Sequence, residues 1–166
     1  MSHMCRLSMR VNEVERTLEV ESRDTLLDVL RDGLGLTGAK KGCDEAVCGS
    51  CAILFDNTPI CSCTMFAVEA SGHNITTIEG VSEKGKLSIL QSKFVEHDAL
   101  QCGFCTSGQI VVGTSVVSAL RAQDAVPNND LDGMISEEMS GNLCRCGCYN
   151  GIADAIKDAM KVSDED

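Results

Sequence analysis

Residues 5–11 alternate between apolar and polar side chains, with Cys5, Leu7, Met9 and Val11 on one side and Arg6, Ser8 and Arg10 on the other. A period of two is the pattern of a strand with one buried face. After Asn12-Glu13, Val14, Leu18 and Val20 alternate against Glu15, Thr17 and Glu19, so the two runs predict a hairpin. Thr25-Leu26-Leu27-Asp28 has the Thr-x-x-acid form of a helix start; Leu26, Leu27 and Leu30 give it an apolar stripe, and Gly33 and Gly35 end it. Residues 36–51 are a Gly-rich segment carrying three cysteines, and 52–55 are a short, wholly apolar strand. Asn57-Thr58-Pro59 is expected to turn the chain, and residues 75–78 to form a last strand.

The period then changes. Gly80-Val81-Ser82-Glu83-Lys84-Gly85-Lys86 is polar and flanked by glycines, which sets the expected boundary between a unit at 1–81 and a unit at 82–166. Beyond it, Leu87, Leu90 and Phe94 fall on a helical stripe. Ile152, Ile156, Ala159 and Met160 form another, with Asn150 as the expected N-cap. Residues 106–122 are ambiguous by pattern. Ile110, Val111, Val112, Thr114, Val116 and Val117 favour a strand by propensity, yet the stretch is long and does not alternate, as in a buried helix. Residues 124–129 are a polar connection and 130–139 a short helix.

Composition narrows the chemistry. With no Trp, one Tyr and four Phe, the core must be aliphatic, and small domains of that kind often need a staple such as a metal. The net charge of −11, with an acidic Ser163-Asp164-Glu165-Asp166 end, argues against a phosphate backbone as partner. No basic cluster and no apolar run of membrane-spanning length is present, so neither nucleic acid nor membrane insertion is expected. Eleven cysteines could form disulfides in a secreted chain. The start, Met1-Ser2-His3-Met4, lacks an apolar signal segment, no twin-arginine signal appears, and the close cysteine pairs suit metal ligation. The expectation is therefore a metal protein of the cytoplasm.

Eight of the cysteines form two quartets. The first, Cys43-x4-Cys48-x2-Cys51-x11-Cys63, has the plant-type spacing of a [2Fe–2S] site. Its glycines let backbone amides approach the sulfurs, and Lys40 and Lys41 are placed to offset cluster charge. The second is Cys102-x2-Cys105 with Cys144-x-Cys146, each pair preceding a helical candidate whose free amides suit an anionic cluster. By spacing alone, that quartet could also bind zinc.

The flanking residues carry a resemblance. Gln101-Cys102-Gly103-Phe104-Cys105-Thr106-Ser107-Gly108-Gln109 and Gly141-Asn142-Leu143-Cys144-Arg145-Cys146-Gly147-Cys148-Tyr149, with the segment 38–51, resemble the iron–sulfur subunit of the molybdenum hydroxylases, the xanthine dehydrogenase and aldehyde oxidoreductase group. The resemblance covers nearly the whole chain. It implies an α+β fold: an N-terminal β-grasp plant-type ferredoxin domain, then an all-α four-helix bundle in which 106–122 is helix. It implies Cys43, Cys48, Cys51 and Cys63 as ligands of an outer [2Fe–2S] cluster, and Cys102, Cys105, Cys144 and Cys146 as ligands of an inner one. Gln101 matches a glutamine that contacts molybdopterin in a large partner subunit, and the segment around Cys146 also lies near that pterin. An FAD-binding medium subunit or an external acceptor would receive the electrons. The substrate, an aldehyde or an N-heteroaromatic, would be oxidised on the partner, so this chain is the electron-transfer subunit and not catalytic alone.

Three departures stand out. Ser107 replaces the family's usual Pro, which is expected to loosen the following helix start, and Gly147-Cys148 replaces the commoner Thr-Gly. The Gly147 form resembles the aldehyde-oxidising and N-heterocycle-oxidising bacterial branches. Cys148 is expected to be a bystander, Cys5 a buried thiol on its strand, and Cys61 to yield to Cys63, which the family's twelve-position step from the third ligand selects. His3, His73 and His97 are expected to be surface residues. Rival functions are a free-standing two-cluster electron carrier and a zinc-stabilised interaction module.

Overall fold

The computed structural model describes residues 3–82, 85–122 and 131–162. The expected 124–129 connection, the acidic end at 163–166, position 130 and part of the 80–86 stretch lie outside the described residues.

The hairpin forms as its alternation requires: β1 (Met4–Val11) pairs antiparallel with β2 (Val14–Glu21), closing at Val11↔Val14. Asn12 and Glu13 both take positive φ, 48° and 67°, the two-residue turn that matches strand twist. Leu7, Met9 and Val11 are buried; Cys5 is only half-buried and Val14 is exposed, because the edge strand β2 buries only its far end at Val20. After Thr25 caps its first turn by accepting from the Asp28 N–H at 3.2 Å, α1 (Leu26–Asp28) widens into a π-type turn over Val29–Gly33. Gly35 (φ 71°) ends it with its N–H on the Arg31 carbonyl.

The sheet continues with β3 (Ala52–Phe55), β4 (Thr58–Cys61) and β5 (Asn74–Thr76), in the order β2-β1-β5-β3-β4. Two expectations shift here. The turn is Asp56-Asn57, both with positive φ, while Thr58 and Pro59 enter β4; that strand is an edge, where a missing N–H is tolerated. The last strand ends at Thr76, and Ile78 already begins a helical turn, α2 (Ile78–Val81).

Four helices follow: α3 (Ile89–Glu96), α4 (Thr106–Arg121), α5 (Leu131–Glu138) and α6 (Tyr149–Lys161). Ser88 and Gln91 form a capping box on α3, so Leu90 and Phe94 are buried while Leu87 stays exposed before the helix. Helix α6 starts two residues earlier than expected, with Cys148 rather than Asn150 as its N-cap. Helix α4 is buried on nearly every side, so packing overrides the β propensity of its valines and isoleucines.

Two hydrophobic cores result. One lies between the sheet and α1, around Leu7, Met9, Leu27 and Ile53; the other lies among α3–α6, around Phe94, Ile110, Ile135 and Ile156. Strand β3 belongs to both, Ile53 to the sheet core and Ala52 to the helical one, which is why it is apolar throughout. The turn α2 also joins the two: Ile78 and Val81 pack on the helical core, while Glu79 accepts from the Gly38 N–H at 2.8 Å and from the Thr77 hydroxyl at 2.5 Å.

Candidate metal centres

The first quartet is built on a loop whose backbone is turned inside out. Asp44 and Ala46 take positive φ, 61° and 56°, rare for residues with a side chain, and Gly49 takes 70°. Alternating handedness of this kind aims successive amides at one point. The Glu45 and Val47 N–H groups donate to Cys43 Sγ at 3.4 and 3.3 Å, and the Ala46 N–H is directed at Cys63 Sγ. Cys63 arrives on a segment fixed by α1: the Leu27 N–H bonds the Ser62 carbonyl at 3.1 Å and the Leu26 N–H the Met65 carbonyl at 2.8 Å. Buried Ser62 donates its hydroxyl to the Cys51 carbonyl at 2.7 Å.

The second quartet sits at two helix starts. Cys105 is the N-cap of α4, and Cys144 and Cys146 lead into α6 through Gly147, which takes φ 78°. Gly103, at φ 81°, lets the Phe104 N–H reach Cys102 Sγ. The Cys144 N–H bonds the hydroxyl of Tyr149, the chain's one tyrosine, at 2.8 Å. Cys102 and Gln101 are exposed, whereas Cys144 is buried.

Sulfurs of each quartet meet one another, and Cys51 also meets Cys61 and Cys144 also meets Cys148. Cys43 contacts Cys48, and Cys51 contacts Cys63; Cys102 contacts Cys146, and Cys105 contacts Cys144. A two-iron cluster distributes its four protein ligands in this way, two to each iron. No three His, Cys, Asp or Glu side chains among the described residues converge as around one metal ion. The thiols are also too crowded to ionise together. Inward amides from Glu45, Val47 and Cys48 pull Cys43 down to about 7. Contact with Cys61 and then burial push Cys51 up, and burial pushes Cys63 up to about 11 and Cys105 to about 12. Only a cationic centre would make all four thiolates favourable at neutral pH, and the donor set fits iron held with sulfide.

The two loops are fastened to each other. The Leu143 N–H donates to the Cys48 carbonyl at 3.0 Å, so a residue beside Cys144 is one hydrogen bond from a cysteine of the first quartet. Buried Asn142 donates Nδ2 to the Gly49 carbonyl at 3.4 Å, and its own carbonyl accepts Nε2 of buried Gln109 at 2.9 Å. Ser107, instead of loosening α4, donates to the Gly38 carbonyl at 2.6 Å and ties the helix to the first loop. A cavity of about 460 Å³ opens between the loops, lined by Cys43 and Cys48 on one side and Cys102, Cys105 and Cys144 on the other.

Other expectations are corrected. Lys40 donates to the carbonyls of Thr37 and Gly38, and Lys41 pairs with Asp28 at 2.7 Å, so neither ammonium is directed at the sulfurs. Gln109, Asn142 and Tyr149 lie within the two cysteine motifs, and their polar character there, Gln109 inside buried α4 and Tyr149 at the start of α6, was the available signal of a role. His73 pairs with Asp56 and His97 with Asp158, away from both quartets.

Residues 9–72 match the family model of the 2Fe-2S iron-sulfur cluster binding domain, and residues 77–157 match that of the [2Fe-2S] binding domain. The iron-sulfur-binding subunit of aldehyde oxidoreductase from Escherichia coli K12 is 42% identical, the match covering 92% of this chain and 70% of that protein. Caffeine dehydrogenase subunit gamma from Pseudomonas sp. CBB1 is 42% identical, covering 98% and 94%. The crystal structure of quinoline 2-oxidoreductase from Pseudomonas putida 86 contains a chain that superposes with a TM-score of 0.87 at 45% identity, covering 96% of this chain and 94% of that one. Both domain matches, in this order, and identities above 40% over most of each relative place the chain in one family: it belongs to the iron–sulfur subunits of the molybdenum hydroxylases, which transfer electrons within multi-subunit oxidoreductases.

Proposed function

We propose that Cys43, Cys48, Cys51 and Cys63 hold the outer [2Fe–2S] cluster of this subunit, and Cys102, Cys105, Cys144 and Cys146 the inner one. When bound, the clusters would supply one-electron redox chemistry; the chain supplies sulfurs, amides and spacing. The observation that carries the reading is the fastening of two paired-sulfur sites through Leu143–Cys48 and Asn142–Gly49, which holds the two sites at a fixed separation.

Exposed residues flank each site. Gln101 and Cys102 are exposed on the inner side, which supports docking against the molybdopterin-bearing large subunit with Gln101 offering its amide to the pterin. Residues 44–47 are exposed around the outer quartet, which supports electron exit there, to FAD on a medium subunit or to an external acceptor. The relatives named for aldehyde, caffeine and quinoline support an aldehyde or N-heteroaromatic substrate on the partner. We assign the working compartment as cytoplasmic and the units as 1–81 and 82–166, with α2 stapled to both.

Iron and acid-labile sulfide analysis tests the ligand assignment: four irons and four sulfides per chain are expected from two clusters of two irons each, and zinc in their place would refute it. Reduced-state EPR should resolve two distinct signals; a single species would remove the second quartet from the scheme. Purification with a pterin-bearing subunit separates an obligate subunit from a free carrier.

A further inference from the structure

Cys5, Cys61 and Cys148 stand outside the two quartets, and Cys148 is packed beside the inner site. It is 8% exposed, part of the helical core, and the N-cap of α6. Its backbone N–H donates to Cys144 Sγ at 3.5 Å. Its own sulfur also contacts that of Cys144. The Cys144 N–H is meanwhile occupied by the Tyr149 hydroxyl, so the geometry leaves Cys148 as a double neighbour of one candidate ligand sulfur.

An iron-bound thiolate carries no proton and can only accept hydrogen bonds, whereas a buried neutral thiol beside it can donate one. Donors to cluster sulfurs stabilise the more negative, reduced state and raise the reduction potential. We infer that the Cys148 S–H donates to Cys144 Sγ and raises the potential of the inner cluster, making that site a better electron acceptor from the partner subunit. No bond is made or broken: the cluster takes one electron and the proton stays on Cys148. This inference rests on Cys144 being an inner-cluster ligand, as proposed above.

The test is a redox titration of the two EPR signals in the assembled, cluster-loaded protein. Cys148→Ala should retain both signals and move the inner midpoint to a more negative potential, leaving the outer midpoint in place. Cys148→Ser keeps a donor and should lie closer to the parent. An unshifted inner midpoint in Cys148→Ala overturns the inference; so does loss of the inner signal with the outer one intact, which would make Cys148 a ligand. The parent protein offers a second reading that needs no alanine variant. The infrared S–H stretch of Cys148, identified by its loss in Cys148→Ser, should move to lower frequency when the inner cluster is reduced. A band that does not respond overturns the inference, and a parent without any inner signal overturns the ligand assignment beneath it.

Discussion

Ala46 separates two cysteines that the sequence leaves side by side. Its N–H is directed at Cys63 Sγ, and its carbonyl lies 3.9 Å from Cys61 Sγ. An N–H stabilises a thiolate, whereas a carbonyl oxygen repels one and accepts from a thiol. Ala46 thus turns its own amide toward Cys63, the proposed ligand, and the carbonyl of the following peptide toward Cys61. Cys63→Ser should remove the outer EPR signal and about half of the iron, whereas Cys61→Ser should retain both, in line with two irons per cluster; iron analysis with EPR checks this, and the reverse pattern would exchange the two roles. Residue spacing alone could select Cys63 only by family resemblance. The positive φ of Ala46, which creates the discrimination, is invisible in sequence because alanine carries no turn signal. Cys148 shows the same limit: its number along the chain gives nearness to Cys144, but not the sulfur contact.

Helix α4 shows what elements hide and what they disclose. Its helical state over 106–122 was settled only through the resemblance, since β-branched residues favour a strand while length and missing alternation leave a buried helix open; the helix runs Thr106–Arg121. The β1–β2 hairpin and the Leu90 and Phe94 positions of α3 were legible directly, because half-buried elements keep their periodicity, whereas β4 was hidden under a turn signal at 57–59. Two residues of α4 then fix the site. Gln109 is 1% exposed and donates to the Asn142 carbonyl at 2.9 Å, so Gln109→Leu leaves a buried acceptor without its donor. The expected cost is about 1–3 kcal/mol. Each kcal/mol corresponds to roughly 2–4 °C of Tm in a chain of this size, read by thermal unfolding. Gly108 lies so close to the first loop that an added Cβ would sit 2.2 Å from the Gly49 carbonyl oxygen. Gly108→Ala must therefore push α4 off that loop. Dipolar coupling between the two reduced clusters should weaken; unchanged coupling would show that the helix yields elsewhere.

At the scale of the whole molecule, two cores share one strand and carry two cysteine-rich sites, so iron binding and stability should be linked. Without iron, the crowded thiols titrate apart, and the signs differ. Cys63 and Cys105 are pushed up to about 11 and about 12, chiefly by burial, against about 8.5 for an unfolded thiol. A raised pKa gives stability that is fully present below about pH 8.5 and lost as pH rises through the folded values. Cys43, pulled down to about 7 by inward amides, works in the opposite sense: its contribution is present above about 8.5 and lost as pH falls through 7. The iron-free chain should therefore show maximal Tm near pH 8–9 and fall away on both sides, whereas the loaded protein, with its eight thiolates bound, should lack that maximum. Hydrogen exchange at pH 8 adds the spatial half of the prediction. Iron removal should release protection first at 42–51 and 141–148, the fastened loops, while β1–β2 and α4 keep theirs. Uniform loss along the chain would instead mean that the clusters hold up both cores, and that neither core folds on its own packing.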